Sequence, residues 1–292
     1  MGLFCRMNYP SNLLSELKTV FTKQLEKIYD RKEAENLINL LIEHYLGLTR
    51  VAMALEPNFR LSESELLKFH FAIKRLFKSE PIQYILGETL FHGLRLEVNP
   101  KVLIPRPETE ELVNMVIREN FDDKRILDIG TGSGCIAIAL KNKLSNCKVT
   151  GLDISEAALE TAKKNATINK VDVEFIQADI RESGKFSSLG IFNVIVSNPP
   201  YVTHEDRSQM SNNVLEWEPE KALFAPVDDP LYFYKKILEF SNYHLSGKGK
   251  LFLEINENYG LELKELIKEY SFTQVILYQD FRGKNRFIIA KK

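Results

Sequence analysis

The feature that most limits how this chain can fold is the alternation, from about residue 105 to the C-terminus, of short apolar runs with amphipathic helical stretches. Apolar runs at 125–130, 148–154, 173–179, 192–197 and 249–255 read as strands, with two more at 273–279 and 286–291. Helical periodicity fills most of the gaps, as at 156–168 and 230–245. Strands that are apolar throughout are buried on both faces, which calls for helices above and below a mostly parallel sheet. The last two strands are joined only by Asp280-Phe281-Arg282-Gly283-Lys284-Asn285, too short for a crossover helix, so they must pair antiparallel. The expected fold is α/β, with a sheet of seven strands whose last strand is reversed.

The chain before this region has a different texture. Leu13, Leu14, Leu17, Val20 and Phe21 recur at helical intervals, and a second stripe runs from Leu37 to Leu48. Ser62-Glu63-Ser64-Glu65 reads as a capping box that opens a third helix through Leu66, Phe69, Ile73 and Phe77. Residues 1–80 are therefore expected to form a small N-terminal helical bundle. Residues 81–104 alternate apolar pieces with Gly87, Gly93 and Asn99-Pro100, which suggests a hairpin-like connector, and 105–292 form the α/β domain.

Composition removes several classes of function. Lys and Arg number 39 against 40 Asp and Glu, so no basic excess favours general binding to nucleic acid. Cys5, Cys135 and Cys147 are too few and scattered for a disulfide framework, and the five histidines lack ligand spacing, so no metal site is expected. The N-terminus lacks the apolar run of a signal peptide, and no stretch approaches the roughly 20 apolar residues that span a bilayer. A reduced, cytoplasmic protein acting as a monomer away from membranes is expected.

Asp128-Ile129-Gly130-Thr131-Gly132-Ser133-Gly134 follows an apolar strand and runs into a helix beginning Cys135-Ile136-Ala137. Glycines here allow a tight turn and close approach of backbone to a ligand. The next strand ends in Asp153, suited to bridge two ribose hydroxyls. Such a loop can hold NAD, FAD or S-adenosylmethionine. G-x-G-x-G spacing and the acid inside the strand, Asp128, favour S-adenosyl-L-methionine, whose cationic sulfonium gains from a nearby carboxylate and which has no pyrophosphate to cradle. A seven-strand sheet with a reversed last strand is also the class I, Rossmann-like methyltransferase arrangement. Asp179, ending the third strand, either contacts the adenine or simply terminates the strand.

The fourth strand ends in Asn198-Pro199-Pro200-Tyr201, at the edge of the sheet where ligands bind in open α/β folds. Two prolines hold a rigid turn with outward carbonyls. An amide or aniline-like nitrogen is a poor nucleophile because its lone pair is delocalised. If the Asn198 side-chain oxygen and the Pro199 carbonyl each accept one of its N–H bonds, the lone pair can turn toward a methyl donor. A ring stacked on the planar group, Tyr201, fixes its plane. An isolated Asn-Pro often just makes a turn; after a buried strand and beside a glycine loop, the catalytic reading prevails. Asn198, Pro199 and Tyr201 are the expected catalytic residues.

These residues, with a longer set, resemble the HemK/PrmC family of glutamine methyltransferases. The set comprises Glu80-Pro81-Ile82-Gln83-Tyr84-Ile85-Leu86-Gly87, Phe91, Leu103-Ile104-Pro105-Arg106-Pro107-Glu108-Thr109-Glu110, Glu218-Pro219 with Ala222-Leu223, and Asp280, Gly283 and Arg286. The resemblance implies methylation of the glutamine in the Gly-Gly-Gln motif of class I peptide chain release factors. It maps a substrate site onto Asn198, Pro199, Pro200 and Tyr201. It maps a cofactor site onto Gly130, Thr131, Gly132, Ser133, Gly134 and Asp153, with Asn198 shared and a further contact near Ile180. Where the family usually reads Glu-x-Gly followed by Gln-Gly, this chain has Glu254-Ile255-Asn256 and Tyr259-Gly260.

Other segments carry weaker signals. Residues 104–110 either cap the helix 108–119 or wall the cofactor pocket. His204-Glu205-Asp206 offers groups for acid/base chemistry, but a solvated loop is the favoured reading. Residues 202–228, with Trp217, form a long connection expected to help hold the substrate, and the charged helix 257–269 reads as a solvated face. Two other functions compete: a nucleic-acid adenine amino-methyltransferase, disfavoured by the near-neutral charge, and a non-enzymatic cofactor-binding scaffold, disfavoured by the pairing of the two loops.

Overall fold

The computed structural model describes residues 9–119, 121, 123–182, 186 and 189–292. The expectations attached to residues 1–8, including Cys5, lie outside them. Among the described residues, no helix is long and apolar enough to cross a membrane. Contacts divide the chain into two compact units, Met1–Gly87 and Glu88–Lys292.

The first unit is helical. Helices Leu14–Leu25, Arg31–Leu46 and Glu63–Leu76 enclose Leu17, Phe21, Leu25, Ile38, Leu41, Leu66, Phe69 and Ile73. Each buried Leu, Ile or Phe there contributes about 1.5–3 kcal/mol. The capping box forms as the sequence suggests: the Ser62 hydroxyl accepts from the Glu65 amide at 3.3 Å, and the Ser62 amide donates to Glu65 Oε2 at 2.8 Å. Arg75 closes the unit, donating to both oxygens of buried Glu80 and to the carbonyls of Tyr84 and Ile85. Residues 81–104, read as a hairpin-like connector, contain a short helix, Ile82–Leu86, and then an antiparallel hairpin of β1 (Glu88–Phe91) and β2 (Leu94–Glu97).

The second unit is built on one sheet. Its strands are β3 (Arg125–Ile129), β4 (Lys148–Asp153), β5 (Glu174–Gln177), β6 (Phe192–Ser197), β7 (Leu245–Glu254), β8 (Gln274–Gln279) and β9 (Asn285–Lys291). The spatial order is β5-β4-β3-β6-β7-β9-β8. β3 to β7 pair in parallel, while β9 runs antiparallel to both β7 and β8. The strand last in sequence is thus the reversed one, as its short linker requires. Asp280 organises that linker, its Oδ1 accepting from the amides of Arg282 and Lys284 at 2.9 and 3.0 Å.

Side chains alternate between two cores. Leu127, Ile129, Ile195, Leu251 and Leu253 face one layer of helices, and Ile126, Val194, Val196 and Phe252 face the other. The runs are apolar throughout because both faces are covered. β5 is shorter than the run 173–179, so Asp179 lies two residues past the strand rather than at its end. β7 starts earlier than expected, at Leu245.

Candidate active site

The two motif loops leave adjacent strands at one level. Ile129 of β3 pairs with Ser197 of β6, so Gly130 and Asn198 each lie one residue beyond a paired position. The buried Ser197 hydroxyl donates to the Ile129 carbonyl at 2.7 Å and locks that register.

The glycine loop is held by backbone and carboxylate. Gly130, Gly132 and Gly134 have φ of +73°, +56° and +81°, conformations open to glycine and costly for other residues. At Gly134 a side chain would also collide, its Cβ falling 2.9 Å from Ile138 Cδ1 and 3.1 Å from Ala162 Cβ. The amides of Gly130 and Thr131 donate to the Leu152 carbonyl at 2.8 and 3.0 Å, tying the loop to β4. Gly132 donates to Asp153 Oδ2 at 2.8 Å, and Ser155 donates to Asp153 Oδ1 at 2.8 Å. The Ser133 carbonyl accepts from buried Asn165 at 2.9 Å.

Asp128 sits beneath this loop with no solvent exposure, and burial pushes its carboxyl up to about 7 against the opposing hydrogen bond from Thr131. The Thr131 hydroxyl donates to Oδ2 at 2.6 Å and the Ala137 amide lends weaker support, while Oδ1 has no partner of full hydrogen-bond geometry among the described residues. Burial likewise raises the Asp153 carboxyl above its ordinary value. Beside Gly130 the space on the Cβ side is empty to 4 Å. Two carboxylates short of positive charge, next to backbone that leaves room, fit the cationic S-adenosylmethionine expected from the sequence.

Asp179 and Ile180 are placed less pointedly. Asp179 lies beyond β5, its carboxylate engaged by Arg181 through Nε at 2.8 Å and Nη2 at 2.6 Å. Ile180 is half-buried against the core.

The Asn198-Pro199-Pro200-Tyr201 loop is braced by side chains from distant parts of the chain. Asn198 Nδ2 donates to Thr109 Oγ1 at 3.2 Å. Thr109 donates to Glu254 Oε2 at 2.7 Å, and the Tyr201 hydroxyl donates to Glu254 Oε1 at 3.0 Å. Asn256 donates to the Tyr201 carbonyl at 3.2 Å and to Asp206 Oδ2 at 2.9 Å. Burial raises the Glu254 carboxyl and the Tyr201 phenol above their ordinary values; the two hydroxyl donors and Arg286 restrain Glu254.

Around these residues lies a cavity of about 260 Å³, lined by Asn198, Pro199, Tyr201, Arg106, Glu254 and an apolar wall that includes Met210. Arg106 is fixed by Glu218, 2.5 Å from its Nη2, and Glu218 also accepts from the Ile104 amide at 3.2 Å. Of the two readings weighed for residues 104–110, the helix start is the one seen. Pro107 stands in the first turn of helix Pro107–Arg118, and Arg106 faces the cavity.

Neither Thr109 nor Glu254 is among the site residues expected from the sequence. A glutamate closing the apolar run Leu251-Phe252-Leu253 was the available signal, since a buried strand seldom ends in an unpaired acid. The departure at Asn256 is integrated into the site rather than idle. Asp206 is a correction to the solvated-loop reading: it accepts from the Thr203 amide and hydroxyl as well as from Asn256. His204 and Glu205 are exposed, as expected.

The chain has clear relatives among known proteins. A family model described as the PrmC N-terminal domain matches residues 16–87, and one described as the methyltransferase small domain matches 108–220. The chain is 43% identical over 281 residues to the release factor glutamine methyltransferase of Flavobacterium psychrophilum, covering 94% of this chain and 98% of that one. It is 41% identical over 283 residues to the protein of the same name from Bacteroides thetaiotaomicron, covering 96% and 100%. A solved structure of a T. thermophilus 16S rRNA N2 G1207 methyltransferase in complex with AdoMet and guanosine is similar in fold, with TM-score 0.50 and 16% identity over 70% of this chain and 49% of that one.

Proposed function

The chain belongs to the family of release factor glutamine methyltransferases, and we propose that it methylates the side-chain amide nitrogen of the glutamine in the Gly-Gly-Gln motif of class I peptide chain release factors. The methyl donor is S-adenosyl-L-methionine, held by residues 130–134, Asp153 and Asn198, with Asp179 against the adenine and a further contact near Ile180. The observation that carries this reading is the cavity formed by Asn198, Pro199 and Tyr201 one residue beyond the strand pair that also launches the glycine loop.

The chain's own residues act by position. When bound, the cofactor supplies an electrophilic methyl group on a cationic sulfur. The Asn198 Oδ1 and the Pro199 carbonyl accept the two N–H bonds of the substrate amide, which frees the lone pair to face the donor. Tyr201 and the apolar wall fix the amide plane in a cavity of about 260 Å³ that can take a glutamine side chain. Alignment of this kind supplies several kcal/mol, on the order of the 7–11 kcal/mol reached by the best intramolecular reactions. The helical first unit docks the release factor, and the protein works as a cytoplasmic monomer without a nucleic-acid partner.

A methyl-transfer assay tests this directly. Purified release factor is offered beside the same factor with the motif glutamine changed to glutamate, and beside unmethylated DNA and RNA. Incorporation only into the unaltered factor, on the glutamine peptide by mass spectrometry, is expected. Methylation of nucleic acid alone contradicts the assignment and leaves an adenine amino-methyltransferase.

A further inference from the structure

We infer that Thr109 and Glu254 are positioning residues that set which end of the Asn198 amide faces the substrate. The inference rests on the reading of Asn198 as the amide-holding residue. An asparagine side chain is nearly symmetrical in shape, with an acceptor at one end and a donor at the other. Only the acceptor end can hold a substrate N–H. A donor end presented to the substrate NH2 would set two donors against each other.

The chain of hydrogen bonds fixes the choice by polarity. Glu254 is 1% exposed, and as a carboxylate it only accepts. Its two oxygens face two hydroxyls, Tyr201 at 3.0 Å and Thr109 at 2.7 Å. The single proton of the Thr109 hydroxyl is thereby committed to Glu254. What Thr109 has left is a lone pair, so the Asn198 group 3.2 Å away must be the NH2. Oδ1 then becomes the end available to the cavity. Arg286 supports the charge at the far end of this relay, donating from Nη1 to the Ile255 carbonyl at 3.2 Å and from Nε to Asp280 at 3.4 Å.

The same carboxylate anchors the Tyr201 hydroxyl, so one buried group sets both the acceptor and the ring that frame the substrate amide. The three elements involved are the first turn of helix Pro107–Arg118, the carboxyl end of β7 and the loop after β6. With the release factor docked by the first unit as proposed above, a flip of this one amide costs catalysis rather than binding.

The test is a double-mutant cycle on methyl transfer to release factor. Thr109→Val keeps the shape and removes the hydroxyl, and is expected to lower kcat by about 10- to 100-fold, a loss typical of a misplaced catalytic group. KM for the release factor and the Kd of the methyl donor stay within about threefold, below the tenfold that 1.4 kcal/mol would bring. Thr109→Ser, which restores the hydroxyl, is expected to recover most of kcat. In the Asn198→Ala background, Thr109→Val adds no further loss, since it acts through the side chain already removed. Glu254→Gln, whose amide can donate to Thr109 and reverse the relay, gives a second reading if the valine variant does not fold. It too lowers kcat alone and has no effect beside Asn198→Ala. Wild-type kcat in either single variant, or a loss that adds to that of Asn198→Ala, overturns the inference. Wild-type turnover by Asn198→Ala itself overturns instead the reading on which it rests.

Discussion

The loop at 130–134 and the loop at 198–201 leave neighbouring strands at the same level of the sheet, yet they are held in different ways. The first is held closer to home: its glycines take left-handed conformations, and its ties run to the end of β4, to Asn165 and to Asp128 within the same motif. The second is rigid through its prolines but is aimed by Thr109, Glu254 and Asn256, from 53 to 89 residues away in the chain. A cofactor common to many enzymes can be met by backbone and one or two carboxylates. A poor nucleophile that must be turned to present its lone pair needs acceptors held at a fixed angle, and that takes braces from several elements.

If the division is real, the loops fail separately. Asn198→Ala is expected to lower turnover by about 10²- to 10³-fold, the loss typical of one preorganised polar contact, while methyl-donor affinity measured by calorimetry stays near wild type. Parallel loss of both would merge the two loops into one site. Asp153→Ala should do the opposite. Affinity for the methyl donor is expected to fall about 10- to 100-fold, as hydrogen bonds to a charged group contribute about 1.5–3 kcal/mol, with kcat at saturating donor within a few-fold of wild type.

Asp128 sharpens the contrast through pH. Its folded-state carboxyl titrates at about 7 rather than at 3.8, so between those values the folded chain keeps a proton that the unfolded chain has released. Stability should therefore decline as pH rises through that window and level off above it, a slope that Asp128→Asn removes in denaturant titrations. A cationic ligand prefers the ionised form, so donor affinity is expected to rise about tenfold from pH 6 to pH 8, from the fraction ionised around a pKa near 7. A flat binding profile would detach Asp128 from the cofactor. The smallest effect belongs to Tyr201→Phe. The ring stays and one hydrogen bond worth about 1 kcal/mol is lost, so kcat should drop about three- to tenfold in steady-state assays.

The same contrast explains what could be read in the sequence. Residues 125–134 announce themselves because a buried strand, a glycine turn and a helix start follow one another in the chain, and Asn198-Pro199-Pro200-Tyr201 is equally contiguous. The seven strands and the reversed β9 were legible for a similar reason, since linker length alone forbids a crossover before it. Thr109 was not, because a threonine in a helix's first turn looks ordinary, and Glu254 signals only that a buried acid needs partners, not which ones. Their role exists only once the sheet brings β7 beside β6 and the helix Pro107–Arg118 over both. Asp206 was misjudged for the same reason, its partner Asn256 lying 50 residues on.

The most direct measurement is a crystal structure of the protein with S-adenosylhomocysteine and a glutamine-containing peptide bound together. The account requires the glutamine NH2 to lie within about 3.2 Å of both Asn198 Oδ1 and the Pro199 carbonyl oxygen, with the amide plane against Tyr201. A glutamine whose carbonyl oxygen instead meets Asn198, or whose nitrogen points away from the sulfur, would contradict it.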